Sequence, residues 1–218
     1  MTENEWLTSG YAQAMLSHIN GKVSDRKRRL FAYACCQKIW SRIEYEEIRQ
    51  AVKTAEKFAD GLASMEELEK DYFAALSVVE SKDFRPINGP AHWAAYWTAH
   101  WAAESAAIWA SEWSAESEAE DADDETAYWT AQNIQAHILR DIVGNPFKPI
   151  TFQTQWKTHT ILPLAQSMYD DRDFTAMPIL GDALEEAGCD NEEILRHCRS
   201  EGLHYRGCWV LDLVLGKE

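Results

Sequence analysis

The 218 residues predict an all-α protein, and three observations carry that reading. Apolar residues recur at i, i+3, i+4 and i+7 through much of the chain, which is the period of a helix with one buried face. Ser/Thr-x-x-Glu pairs stand where several of those runs begin. Nothing alternates apolar with polar for long enough to make a strand. The expected architecture is an antiparallel helical bundle or array with a long Ala/Trp-rich hairpin. Its expected parts are an N-terminal helical region (1–84), the acidic hairpin packed on it (85–143) and a C-terminal subdomain of short helices (144–218).

Thr2 and Glu5 have capping-box spacing and open a short helix. Ser24 and Asp25 cap the next, whose Leu30, Phe31, Ala34 and Ile39 share a face. Ile48, Ala51, Val52, Ala55, Phe58, Ala59 and Leu62 form the clearest stripe, and Gly61 supplies a left-handed stop. Ser64 and Glu67 form another capping box ahead of Met65, Leu68, Tyr72, Ala75, Leu76 and Val79. RPINGP (85–90) breaks the pattern. From Ala91 to about Ser117 the chain is mainly Ala, Trp, Ser and Glu, and it is expected to form one long helix. The acidic run from Glu116 to Glu125 is either a turn between two antiparallel helices or a frayed continuation of one long helix, and the turn is favoured because like charges at i, i+4 oppose a helix. A further helix carries Ala127, Ala131, Ile134, Ile138 and Ile142 and stops at Gly144 before Pro146. Beyond it, short helices are expected near 156–169, after Pro178, from Asp190 (with Glu193 in capping-box spacing) and in CWVLDLVLG.

Ten tryptophans are an unusual number, and Trp93, Trp97, Trp101, Trp109 and Trp113 lie on a four-residue grid that Trp129 continues. A step of four advances a helix by 400°, so each rung drifts by about 40°. Five rungs on a straight helix therefore cannot all face one flat core. The expected packing places this helix against an antiparallel mate around Trp129. Any rungs left outside are candidate anchors for a partner protein.

Charge is uneven. The net charge is -15, yet Lys22–Arg42 is basic and no Lys or Arg falls between Arg85 and Arg140. So acidic a chain disfavours nucleic acid. Cations in a helix's first turn oppose its dipole, which marks Arg26, Arg28 and Arg29 as candidate partner-binding residues. The plainest use for the basic segment is to face the acidic one, within one molecule or between two.

Other classes are excluded or weak. No run has the 18 or so apolar residues of a membrane helix. The N-terminus carries no signal-peptide pattern. Cys35, Cys36, Cys189, Cys198 and Cys208 are odd in number with no CxxC pair, so a reducing cytoplasm is expected. Neither GxGxxG nor GxxxxGK[ST] occurs, and no cofactor is expected. Cys189, His197, Cys198, His204 and Cys208 lie close enough in sequence to suggest zinc, but their spacing fits no familiar pattern. Cys208 and His204 have the spacing of a nucleophile and base on a helix, with no third group evident to orient the imidazole.

The segments NEWLTSG, SDRKRRLFAYACCQKIW, GNPFKPI and the C-terminal phrase PILGDALEEAGCDNEEILRHCRSEGLHYRGCWVLDLVLGKE resemble an uncharacterised, multi-paralogue family of planctomycete-type bacterial proteins. The resemblance covers roughly residues 3–62 and 140–218, and family members carry an Ala/Trp-rich middle of varying length. It implies the same boundaries and a cytoplasmic setting, and it assigns no catalytic residue. The sequence thus points to a non-catalytic interaction or scaffolding module that binds a protein partner or itself. The alternatives are an acidic immunity-type inhibitor of a basic partner and a metal-dependent enzyme using the C-terminal Cys and His residues.

Overall fold

The computed structural model describes residues 1–84, 89–100, 103–122 and 125–217, and among them it contains helices and no strand. None of these helices is long and apolar enough to cross a membrane. The chain divides into two compact units, Met1–Arg140 and Asp141–Glu218.

The first unit begins with α1 (Glu3–Thr8), α2 (Ala12–Ile19), α3 (Asp25–Lys38), α4 (Glu46–Ala59) and α5 (Met65–Val79). Both expected capping boxes form. Thr2 N–H donates to Glu5 at 2.7 Å, and Ser64 N–H donates to Glu67 at 2.7 Å, while each hydroxyl accepts the reciprocal amide. Ser24 accepts the Lys27 amide and starts α3. Ile48, Ala51, Val52 and Ala55 of α4 meet Leu68, Tyr72 and Ala75 of α5 in one buried cluster. Ala59, Leu62 and Met65 of the expected stripes fall outside it. Leu62 lies beyond the end of α4 and is 68% exposed, and Met65 is the first residue of α5 and is also exposed. At a helix end the stripe has run past its partner.

The tryptophan segment departs from expectation. Instead of one helix from Ala91 to Ser117, α6 (Gly89–Thr98) ends and α7 (Ala103–Ala122) begins. The two pack against each other, and the indoles pair across the hairpin. Trp93 stands 6.3 Å from Trp113 and Trp97 stands 5.7 Å from Trp109, centroid to centroid. Ala94, Ala95, Ala99, Ala103, Ala106, Ala107 and Ala110 are buried, so small side chains let the backbones approach while indoles fill the flanks. Folding back removes the drift problem, because each helix carries only two of the four described rungs. Trp101 lies outside the described residues. α7 also packs on α3, where Ala32 meets Ala106 and Ala110.

The acidic run is not a turn over most of its length, since α7 stays helical to Ala122. A cation from the basic segment meets it there. Arg42 donates to the Ser117 carbonyl and lies 3.4 Å from the Glu118 carboxylate. Residues 123–124 lie outside the described residues. α8 (Glu125–Val143) follows and supplies the first unit up to Arg140. Of its expected stripe, Ala131, Ile138 and Ile142 are buried, whereas Ile134 is exposed.

The second unit contains α9 (Ile161–Asp171), α10 (Met177–Glu186), α11 (Glu192–Cys198) and α12 (Trp209–Leu215) around Trp156, Ile161, Leu180, Leu184, Ile194, Val210 and Leu211. α11 is capped one residue later than expected. Asn191, not Asp190, accepts the Glu193 and Ile194 amides, each at 3.1 Å. Gly181 brings α10 onto α11, since a Cβ there would stand 2.9 Å from the Cys198 Cβ.

Candidate functional site

In the second unit, four side chains from four places in the sequence converge. Asp141 comes from the last turn of α8, His197 from α11, His204 from the segment after α11, and Cys208 from the N-cap position of α12. Their potential ligand atoms all lie within 4.8 Å of one another. His204 Nδ1 is 2.7 Å and His197 Nε2 is 3.2 Å from Asp141 Oδ1. His197 Nε2 is also 3.1 Å from Cys208 Sγ, and His204 Nδ1 is 3.9 Å from that sulfur.

A surrounding set of bonds orients these groups. The Tyr205 amide donates to Asp141 Oδ2 at 2.8 Å. Trp209 Nε1–H donates to His197 Nδ1 at 3.1 Å, which leaves the proton of a neutral His197 on Nε2, facing Asp141 and Cys208. His204 Nε2 is buried with no hydrogen-bond partner. Gly144, with φ +74, lies under the Trp209 ring, where a Cβ would come within 3.1 Å of the indole. Only Gly adopts that backbone at no steric cost and leaves room for the ring.

Burial sets the electrostatics. Burial pushes the Asp141 carboxyl up, but hydrogen bonds from His197 and His204 outweigh it and hold the group below the usual carboxylate range. Burial, and then the Asp141 charge, push the Cys208 thiol well above its ordinary value. The third group missing from the Cys208–His204 pair is thus present as Asp141. The thiol is nonetheless closed off and protonated, the opposite of an activated nucleophile.

Three of the five sequence candidates for metal, His197, His204 and Cys208, share this cluster. Cys189 and Cys198 do not, and both are buried in the apolar core. Asp141 was missed, although a signal exists. It follows Ile138 by three residues and precedes Ile142, so it is an acid on the apolar stripe of α8.

The partner-binding candidates lie in the first unit. Trp93, Trp97 and Trp113 are half-buried in the hairpin, and Trp109 is 42% exposed. Arg26 reaches Asp60 at 2.9 Å in a pair whose acid is buried. Arg28 meets Asp25 and Asn20. Arg29 is buried, donates to the His100 carbonyl at 2.7 Å and lies 5.0 Å from the Phe58 ring centroid. These intramolecular contacts engage all three cations despite their unfavourable place in the dipole. The most exposed indole among the described residues is Trp129, at 47%, beside the exposed Tyr11 with ring centroids 5.7 Å apart. The first unit also holds a cavity of about 520 Å³ lined by Cys35, Ile39, Ser114, Ala131, Ile134 and Gln135. The Gln135 amide donates to Ser114 at 2.8 Å and to the Ser111 carbonyl at 3.0 Å.

No family model matches the chain, and no curated protein or solved structure matches it.

Proposed function

We propose that this protein is a non-catalytic interaction module whose helical first unit presents an aromatic anchor to a partner protein. The observation that carries the reading is the exposed Tyr11–Trp129 pair on a strongly acidic chain. Large rings with few rotatable bonds lose little entropy when buried, which is why such residues dominate interface energetics. The chemistry of the rest agrees. The cavity's amide is bonded to neighbouring chain atoms, and the Cys/His/Asp constellation found among the described residues keeps its thiol buried. The five free, buried thiols suit a reducing compartment.

The test is an affinity pull-down from the native host with the full chain and with a Tyr11→Ala/Trp129→Ala variant. The reading expects a specific partner that the variant loses while its helical circular dichroism is unchanged. An identical partner list for both proteins refutes it. The net charge of -15 favours a basic partner, the chemistry an acidic inhibitor would need. In that case retention falls steeply between low and physiological salt.

A further inference from the structure

We infer that Asp141, His197, His204 and Cys208 form a closed structural site for zinc. Tetrahedral zinc with bonds of about 2.0–2.3 Å to oxygen, nitrogen and sulfur places its ligand atoms about 3.3–3.6 Å apart. The observed separations of 2.7, 3.1, 3.2 and 3.9 Å bracket that range. Two imidazoles, one thiol and one carboxylate make a borderline-soft set that suits zinc and not calcium or magnesium. All four tetrahedral positions come from the protein, so no position remains for substrate, and the site is structural in kind. It ties Asp141, the first residue of the second unit, to the α11 region and to α12 within that unit. His197, with 17% of its side chain accessible, is the most open of the four and marks the entry.

The protons balance. Zinc takes the deprotonated form of each ligand: the Asp141 carboxylate, the Cys208 thiolate and the cluster-facing nitrogens of two neutral imidazoles. The His204 proton then stands on Nε2, a nitrogen that has no bond to lose. The His197 proton stands on Nδ1, where it displaces the indole N–H of Trp209. The Cys208 thiol proton leaves for solvent as the ion binds, and one indole loses its hydrogen bond. That second consequence separates zinc from a cluster held together by hydrogen bonds alone.

Cobalt(II) titrated into the chelator-treated protein tests this. The expected result is one ion per chain, a thiolate-to-cobalt charge-transfer band with strong tetrahedral d–d absorption, displacement by equimolar zinc, and a shift of one indole N–H resonance. Cys208→Ser abolishes the charge-transfer band and Cys198→Ser keeps it. His204→Gln weakens binding by more than about 100-fold, beyond the loss from an outer partner. A wild-type protein that shows no such band at saturating cobalt overturns the site, whether or not the variants fold. So does a band that survives Cys208→Ser.

Discussion

Two single residues show how closely side-chain size and backbone shape are matched in the second unit. Gly181 sits inside α10, where glycine ordinarily weakens a helix relative to alanine. On propensity alone Gly181→Ala would stabilise. The added methyl would, however, come within 2.9 Å of the Cys198 Cβ, which is fixed in the core and cannot swing away. Overpacking of this kind costs about 1–3 kcal/mol and outweighs the propensity gain. Gly181→Ala is therefore expected to lower stability in urea unfolding, and a raised midpoint would show that α10 and α11 separate freely. Asp141 makes the complementary point. Its position on an apolar stripe is visible in the sequence, but the partners that make burial of the charge tolerable, His197 and His204, lie more than fifty residues away. No local spacing rule reaches that far.

At the scale of the element, the capping boxes of α1 and α5 were legible because all their atoms lie within one turn. The hairpin of α6 and α7 was not. Its Ala/Trp composition favours helix throughout, and no proline or glycine marks the break between Thr98 and Ala103. The break follows from what the folded pair gains: buried alanines along the contact and two indole pairs beside it. A double-mutant cycle checks the register. Trp97→Ala with Trp109→Ala should show a coupling of about 0.5–1.5 kcal/mol. Trp93→Ala with Trp109→Ala, whose rings are not paired, should be near additive. The reverse result would require a different register. Arg29 belongs to this scale as well. A cation that opposes the dipole of α3 is retained because its guanidinium reaches the carbonyl of His100, just beyond α6.

For the whole molecule, charge sets the behaviour. A net charge of -15 repels itself, while ion pairs between helices such as Arg26–Asp60 and Arg42–Glu118 are in part accessible. Half-exposed pairs such as Arg42–Glu118 contribute at most about 1 kcal/mol. Raising ionic strength from about 0.01 M to about 0.15 M shortens the screening length from about 30 Å to about 8 Å. Screening should then relieve more repulsion than attraction, and the thermal unfolding midpoint should rise. A fall in the midpoint would mean that pairing between the basic segment and α7 outweighs the self-repulsion. The all-α class, the order of most helices and the stop of α8 at Gly144 were determined by the sequence alone, because periodicity, caps and breakers act over a few residues. The folding back of the tryptophan segment, the helical course of the acidic run and the meeting of Asp141 with His197, His204 and Cys208 were decided only by tertiary structure. Each depends on groups far apart in the chain, whose mutual burial and pairing outweigh what their immediate neighbours prefer.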